Sequence, residues 1–363
     1  MSRAIASEPL TSAPAEEGEP VPWCESWIER SGLPPAVCGG AITLGVLAAM
    51  LCAELLSGEL GRLLRGEADV YKASEYRFSL IIALLLGYLP AAWIWTVRAG
   101  RRAFAGLRPV LRGAPGELDA LAAELGRFDR RRLRWAGLAG IAVSPVIPMA
   151  IDWSPGVYGI GELNTASLGH RIFLPLVMWL VARWTYAALS DARRLVALSR
   201  ERLEVDLLDR APVAPLTHYG LRSALISLGI VSIVSLLLLD WAARPGMPWV
   251  LGLLLATALG LGVASLLLPL RGARAVILGA KRRELAWCRE RIRRRRDALA
   301  NGDAPADAGT LDELVAYHGL VGDVRAWPFD LPTLVRLALY LAIPLGSWLG
   351  GALVERLLDL WLP

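Results

Sequence analysis

Stretches of about 20 apolar residues alternate with charged, proline- or glycine-containing segments along the whole chain. They run from Ala36 to Ser57, Phe78 to Val97, Trp135 to Asp152, Ile172 to Leu189, Ser223 to Asp240, Trp249 to Leu270 and Val335 to Val354. At ~1.5 Å of rise per residue each matches a hydrocarbon core of ~30 Å. The pattern predicts an all-α fold: a polytopic integral membrane bundle of about seven transmembrane helices. Arg336, Glu355 and Arg356 crowd the ends of the seventh stretch, so six spans plus an interfacial helix is the alternative.

Between the stretches a second period appears. Leu118, Leu121, Leu125 and Phe128 fall at i, i+3, i+7 and i+10, and Leu285, Cys288, Ile292 and Leu299 form a similar stripe, so amphipathic helices should extend beyond the spans. Thr310 and Glu313 form a capping box for one more helix, which should end before Pro328 and Pro332. The expected organisation is an acidic tail (1–35), hairpins at 36–97, 135–189 and 223–270, polar helical segments at 98–134, 190–222 and 271–334, and a last helix (335–363). Trp23 and Trp27 mark a short turn that could rest on the membrane surface.

The hairpins also resemble one another. Shifting the third stretch by 88 residues onto the fifth aligns Arg134 with Arg222, Ser144 with Ser232, Asp152 with Asp240 and Trp153 with Trp241. The even stretches leave through Gly100-Arg101-Arg102, Ala192-Arg193-Arg194 and Ala273-Arg274-Ala275. This predicts one hairpin unit used about three times.

Composition narrows the setting. A hydrophobic share of 55% exceeds that of a water-soluble globule, and of 39 basic residues only Lys72 and Lys281 are lysines, the bias of a GC-rich bacterial genome. The bacterial inner membrane is therefore expected. Arg98 to Arg134 holds ten basic residues, Ser190 to Arg222 six and Arg271 to Leu334 twelve, against four, one and one in the alternate connections. The basic segments, and the N-terminus with them, should be cytoplasmic, and seven spans would put the C-terminus in the periplasm. Trp153, Trp241, Trp249 and Trp361 would mark the outer boundary, and Trp93, Trp95 and Trp135 the inner one.

Candidate chemistry is sparse. Glu54, Asp152, Asp240 and Glu355 close the outward-running stretches, where they either ring a vestibule or mark the end of lipid. Arg183 is the one charge well inside a span and is either a pathway residue or a snorkelling anchor. Pro90, Pro145, Pro148, Pro175 and Pro344 interrupt spans, and Ser144-Pro145-Val146-Ile147-Pro148 is the best candidate for a hinge or pathway lining, with Ser232 its counterpart. Lys281, Arg282, Arg283, Arg293, Arg294, Arg295 and Arg296 are candidates for contact with anionic lipid headgroups. Small-residue stripes such as Gly346 and Gly350 suit helix packing or a homo-oligomer.

No nucleic-acid partner is expected, since no recognition module accompanies the charge. His170, His218 and His318 and the four cysteines lack metal-ligand spacing, and no catalytic or cofactor motif is present. An enzyme is not expected. Two classes remain: a channel or small-solute transporter, slightly favoured by the broken spans and Arg183, and a membrane sensor or scaffold acting through its polar helices.

Overall fold

Prolines and turn residues set where the helices begin and stop. In a computed structural model, residues 23–57, 70–146, 168–204, 206–207, 213–236, 247–301 and 311–324 are described, with Val335 and Leu339. Among them all regular structure is helical. The elements are α1 (Trp23–Ser31), α2 (Pro35–Leu56), α3 (Val70–Leu107), α4 (Pro115–Glu124), α5 (Arg130–Val143), α6 (Leu174–Arg202), α7 (Ala214–Ser235), α8 (Met247–Ala300) and α9 (Leu311–Asp323). Pro35 and Pro115 occupy the first positions of α2 and α4, where a missing N–H costs nothing. Asp129 caps α5, its carboxylate accepting from the Arg131 and Arg132 amides at 2.8 and 3.4 Å. A π-helical turn, Gly169–Phe173, precedes α6, directly ahead of Pro175, whose ring crowds the carbonyl four residues back at Arg171.

Four of the described helical stretches are long and apolar enough to cross a membrane: Pro35–Leu56, Tyr76–Val110, Arg171–Arg202 and Ala214–Ser235. They carry the first, second, fourth and fifth expected spans. The third begins in α5, which turns at Ser144 and Pro145, and its remainder from Ile147 lies outside the described residues. The sixth falls within α8. Apart from Val335 and Leu339, the seventh lies outside the described residues, as do Thr310, Pro328 and Pro332.

Consecutive helices pack as pairs, α2 on α3, α5 on α6 and α7 on α8, while α3 also packs on α6 and α7. Glycines permit the close crossings: a Cβ at Gly39 would strike the Gly87 carbonyl, and one at Gly140 the Met178 carbonyl. Outward faces stay apolar, with Leu44 on α2, Trp135 on α5 and Leu253 on α8 all more than 60% exposed. That surface is compatible with lipid around it.

Two cores are stacked along the helices. The first joins Ile82, Leu85, Leu89 and Trp93 of α3 to Leu174, Val177 and Trp184 of α6 and Ile226 of α7. The second joins Phe104 and Leu107 at the far end of α3, Leu118 and Leu125, Leu195 and Leu198 of α6, Leu216 and Tyr219 of α7, and Leu270 of α8. α3, α6 and α8 all run on as helix past Val97, Leu189 and Leu270, and those extensions build the second core. Two expectations need correcting. The stripe from Leu118 to Phe128 is not one helix: Gly126, at φ +84, breaks it between α4 and α5. Trp93 is not an interfacial anchor, because it is 5% exposed and packs edge-on against Phe128 with ring centroids 5.7 Å apart.

Candidate functional site

The densest polar constellation among the described residues lies at the second core and centres on Asp191, two residues past the apolar part of α6 and 1% exposed. The Gly126 N–H points to its carboxylate at 3.4 Å and the Arg194 guanidinium stands 3.6 Å away. Both this carboxylate and the Tyr219 ring face Gly100 of α3, where an added Cβ would meet them at ordinary contact distance. Arg194 in turn donates to the Glu124 and Arg127 carbonyls, each at 2.7 Å. Those carbonyls lie at and just after the C-terminal end of α4, where helix geometry leaves acceptors without partners. Asp191 and Arg194 therefore clamp the α4–α5 turn onto α6, taking one amide and two carbonyls of it.

Beyond the clamp, the ends of the α3 and α6 extensions meet. Leu111 and Leu203 form an isolated antiparallel bridge, in which the Arg112 amide donates to the Arg202 carbonyl at 2.8 Å and the Glu204 amide to the Val110 carbonyl at 2.9 Å. Arg112 and Glu204 close it with an exposed 2.7 Å ion pair. That hydrogen bond holds the Glu204 carboxyl below the usual carboxylate range. A cleft of about 230 Å³ opens between α4 and α6, floored by Phe104, Leu121, Leu125 and Leu198. Its two cations are already engaged, Arg194 as described and Arg202 with Glu117.

The last described piece is an arm made of the α8 extension and α9. Lys281 donates to the Gly322 carbonyl and, at 2.9 Å, to that of Val324, capping the C-terminal end of α9. The Tyr317 hydroxyl donates to Glu284 at 3.0 Å, which holds the phenol above its ordinary value. Cys288 is fully buried under α9, which pushes its thiol up.

The residues singled out from sequence are distributed rather than gathered. Ser144 is buried and its Oγ donates to the Ile141 carbonyl of its own helix at 2.8 Å. Arg183 lies over the Trp179 indole, 4.3 Å from the ring centroid, and its Cδ faces Gly137 of α5. Gly137 is seven residues, ~10 Å of helix, from Ser144. Ser232 lies on α7, where its carbonyl accepts from Ser235. Pro145 is exposed. Glu54 is turned into the α2–α3 contact, 7% exposed, and accepts from the Tyr76 hydroxyl at 3.4 Å. Asp152, Asp240 and Pro148 lie outside the described residues. Of the basic candidates, Lys281 is the cap just described, Arg282, Arg283, Arg293, Arg294 and Arg296 are exposed, and Arg295 is half-buried.

No three of His, Cys, Asp and Glu come together as a metal site among the described residues. Comparisons with protein-family models, with curated proteins and with solved structures gave no match.

Proposed function

We propose that this chain is a bacterial inner-membrane protein that works as a scaffold or sensor component, through the helices it builds outside the bilayer. In this reading those helices and the N-terminus are cytoplasmic, and a seventh span carries the C-terminus to the periplasm. One observation carries it: polarity is partitioned along the bundle. At the level of the first core, polar side chains bond within or between neighbouring helices: Thr96 donates to the Ala92 carbonyl at 2.8 Å, Trp184 to Thr96 at 3.1 Å and Tyr88 to the Ile226 carbonyl at 2.8 Å, and the Trp93 Nε1 is buried without a hydrogen-bond partner among the described residues. Around them stand Ile, Leu and aromatic side chains, a dry environment that favours a packed anchor over a solvated path. The more deeply buried acid, Asp191, and the pairs Arg194–Asp191, Arg202–Glu117 and Arg112–Glu204 lie in the second layer, while Glu54 is buried in the α2–α3 contact.

The same reading takes the hairpin units as copies. An offset of 92 residues relates Gly100-Arg101-Arg102 to Ala192-Arg193-Arg194, and it also relates Leu111 to Leu203 and Arg112 to Glu204, the residues that pair in the bridge. Headgroup contact falls to arginines at the roots of the extensions, such as Arg271 at the end of the apolar part of α8.

The test is reconstitution of the full chain in proteoliposomes with flux assays for monovalent ions and small anions. Fluxes equal to those of empty vesicles are expected. A flux that disappears in Arg183→Ala would overturn the reading in favour of passage.

A further inference from the structure

The continuity of α8 fixes where its charge can act. The helix is unbroken from Met247 to Ala300, so Arg293 to Arg296 stand 23 to 26 residues past Leu270, ~35–39 Å along the axis. Its root cannot lie flat on the bilayer. Leu270, Ala273 and Ile277 are buried in the bundle, and a Cβ at Gly272 would sit 3.0 Å from the Val196 carbonyl. With the bilayer at the level of the first core, as the scaffold reading has it, and exposed charges acting over about 8 Å at physiological salt, this cluster is out of range of headgroups around its own bundle.

The arm carries nine basic residues against three acidic ones between Lys281 and Asp297. α9 covers one side of it, through Lys281, Glu284 and Cys288. On a side that no other described helix covers, Arg282, Arg289, Arg293 and Arg296 lie at i, i+7, i+11 and i+14, within ~60° of one another on the helix and over ~21 Å of its length. All four are exposed; Arg282 and Arg289 have no carboxylate or hydrogen-bond partner among the described residues, while Arg293 stands 4.0 Å from Glu290 and Arg296 2.9 Å from Asp297, both pairs exposed and open to exchange. Ala286 is the small residue on that stripe, so a neighbouring backbone can approach closely there. Trp287 lies on another flank, edge-on to Tyr317 and overlaid by Arg291, which leaves the stripe without the aromatic platform that single-stranded nucleic acid uses.

We infer that this stripe docks an acidic helical segment of a second protein in the aqueous phase. Two α-helices share one rise per residue, so carboxylates at the reversed spacing i, i+3, i+7 and i+14 meet the four arginines in register. The guanidinium fork suits paired carboxylates. The inference rests on the scaffold reading and names its partner class.

The full chain in phosphatidylcholine nanodiscs, at about 0.15 M salt, tests it with helix-locked fluorescent peptides. One carries Glu at i, i+3, i+7 and i+14, and an isomer of equal composition spreads the same acids around the helix. The striped peptide should bind about tenfold more tightly than the isomer. Arg282→Ala combined with Arg289→Ala should abolish that preference while Tyr317 and α9 keep their hydrogen-exchange protection. Equal affinity for the two peptides overturns the inference. So does tighter binding of a single-stranded RNA or duplex DNA oligonucleotide, or equal binding by phosphatidylserine vesicles. Any of these with fluxes still at background leaves the scaffold reading standing, whereas Arg183-dependent flux removes that reading itself.

Discussion

The two stacked cores are built from the same helices yet solve different problems. At the first, side chains chiefly fill space, because the backbone is held within its own helices except where Pro90 and Pro175 remove a donor, and small residues let the axes close up, as at Gly39 and Gly140. At the second, chain ends and a turn must be held. The Arg194 guanidinium takes two carbonyls, Asp191 faces an amide, and Leu111 and Leu203 lend backbone to each other. The comparison teaches that the apolar stretches set position, while the polar extensions determine which ends meet.

The largest expected effect breaks the second core. Leu195 is fully buried and Leu253 is 70% exposed, so Leu195→Ala should cost about 2–5 kcal/mol and Leu253→Ala less than about 0.5 kcal/mol, read as thermal unfolding in one detergent. Equal losses would mean that the extensions form no core of their own. Next comes the packing of the first core. Gly140→Val puts bulk against the backbone of Met178 and should cost about 1–3 kcal/mol, separating α5 from α6 without loosening the Leu111 bridge in hydrogen exchange. Coupled loss of both would show the two levels to be one unit.

The smallest effect lies at the bridge. Glu204 is held below its ordinary range by Arg112, so its contribution is complete above the usual glutamate range and fades as pH falls through the lowered value. Protection of the Arg112 amide, corrected for intrinsic exchange, should decline with acidification in the native chain and stay flat in Glu204→Gln. A decline of the same size in the variant would remove the ion pair from the account.

What the sequence conveyed well was periodicity. The apolar stretches in α2, α3, α6 and α7, the helical run-on past them and the buried faces of Leu118, Leu125 and Phe128 can all be read from spacing. Roles that depend on remote partners could not be read so. Lys281 looks like its arginine neighbours until α9 folds back and offers carbonyls 41 and 43 residues away. Asp191 reads as one charge in a basic segment, and its burial depends on Gly126, 65 residues earlier. The only local hint was Gly126 itself, a turn-former inside an otherwise helical stripe.

The unbroken length of α8 has a mechanical consequence. A rod gripped at Leu270, Ala273 and Ile277 and carrying α9 beyond them is a lever. A tilt of about 5° at Leu270 would swing Arg296 sideways by ~3 Å, about half the spacing between neighbouring turns. A displacement too small to disturb packing inside the bundle would thus shift the register of anything held at the tip.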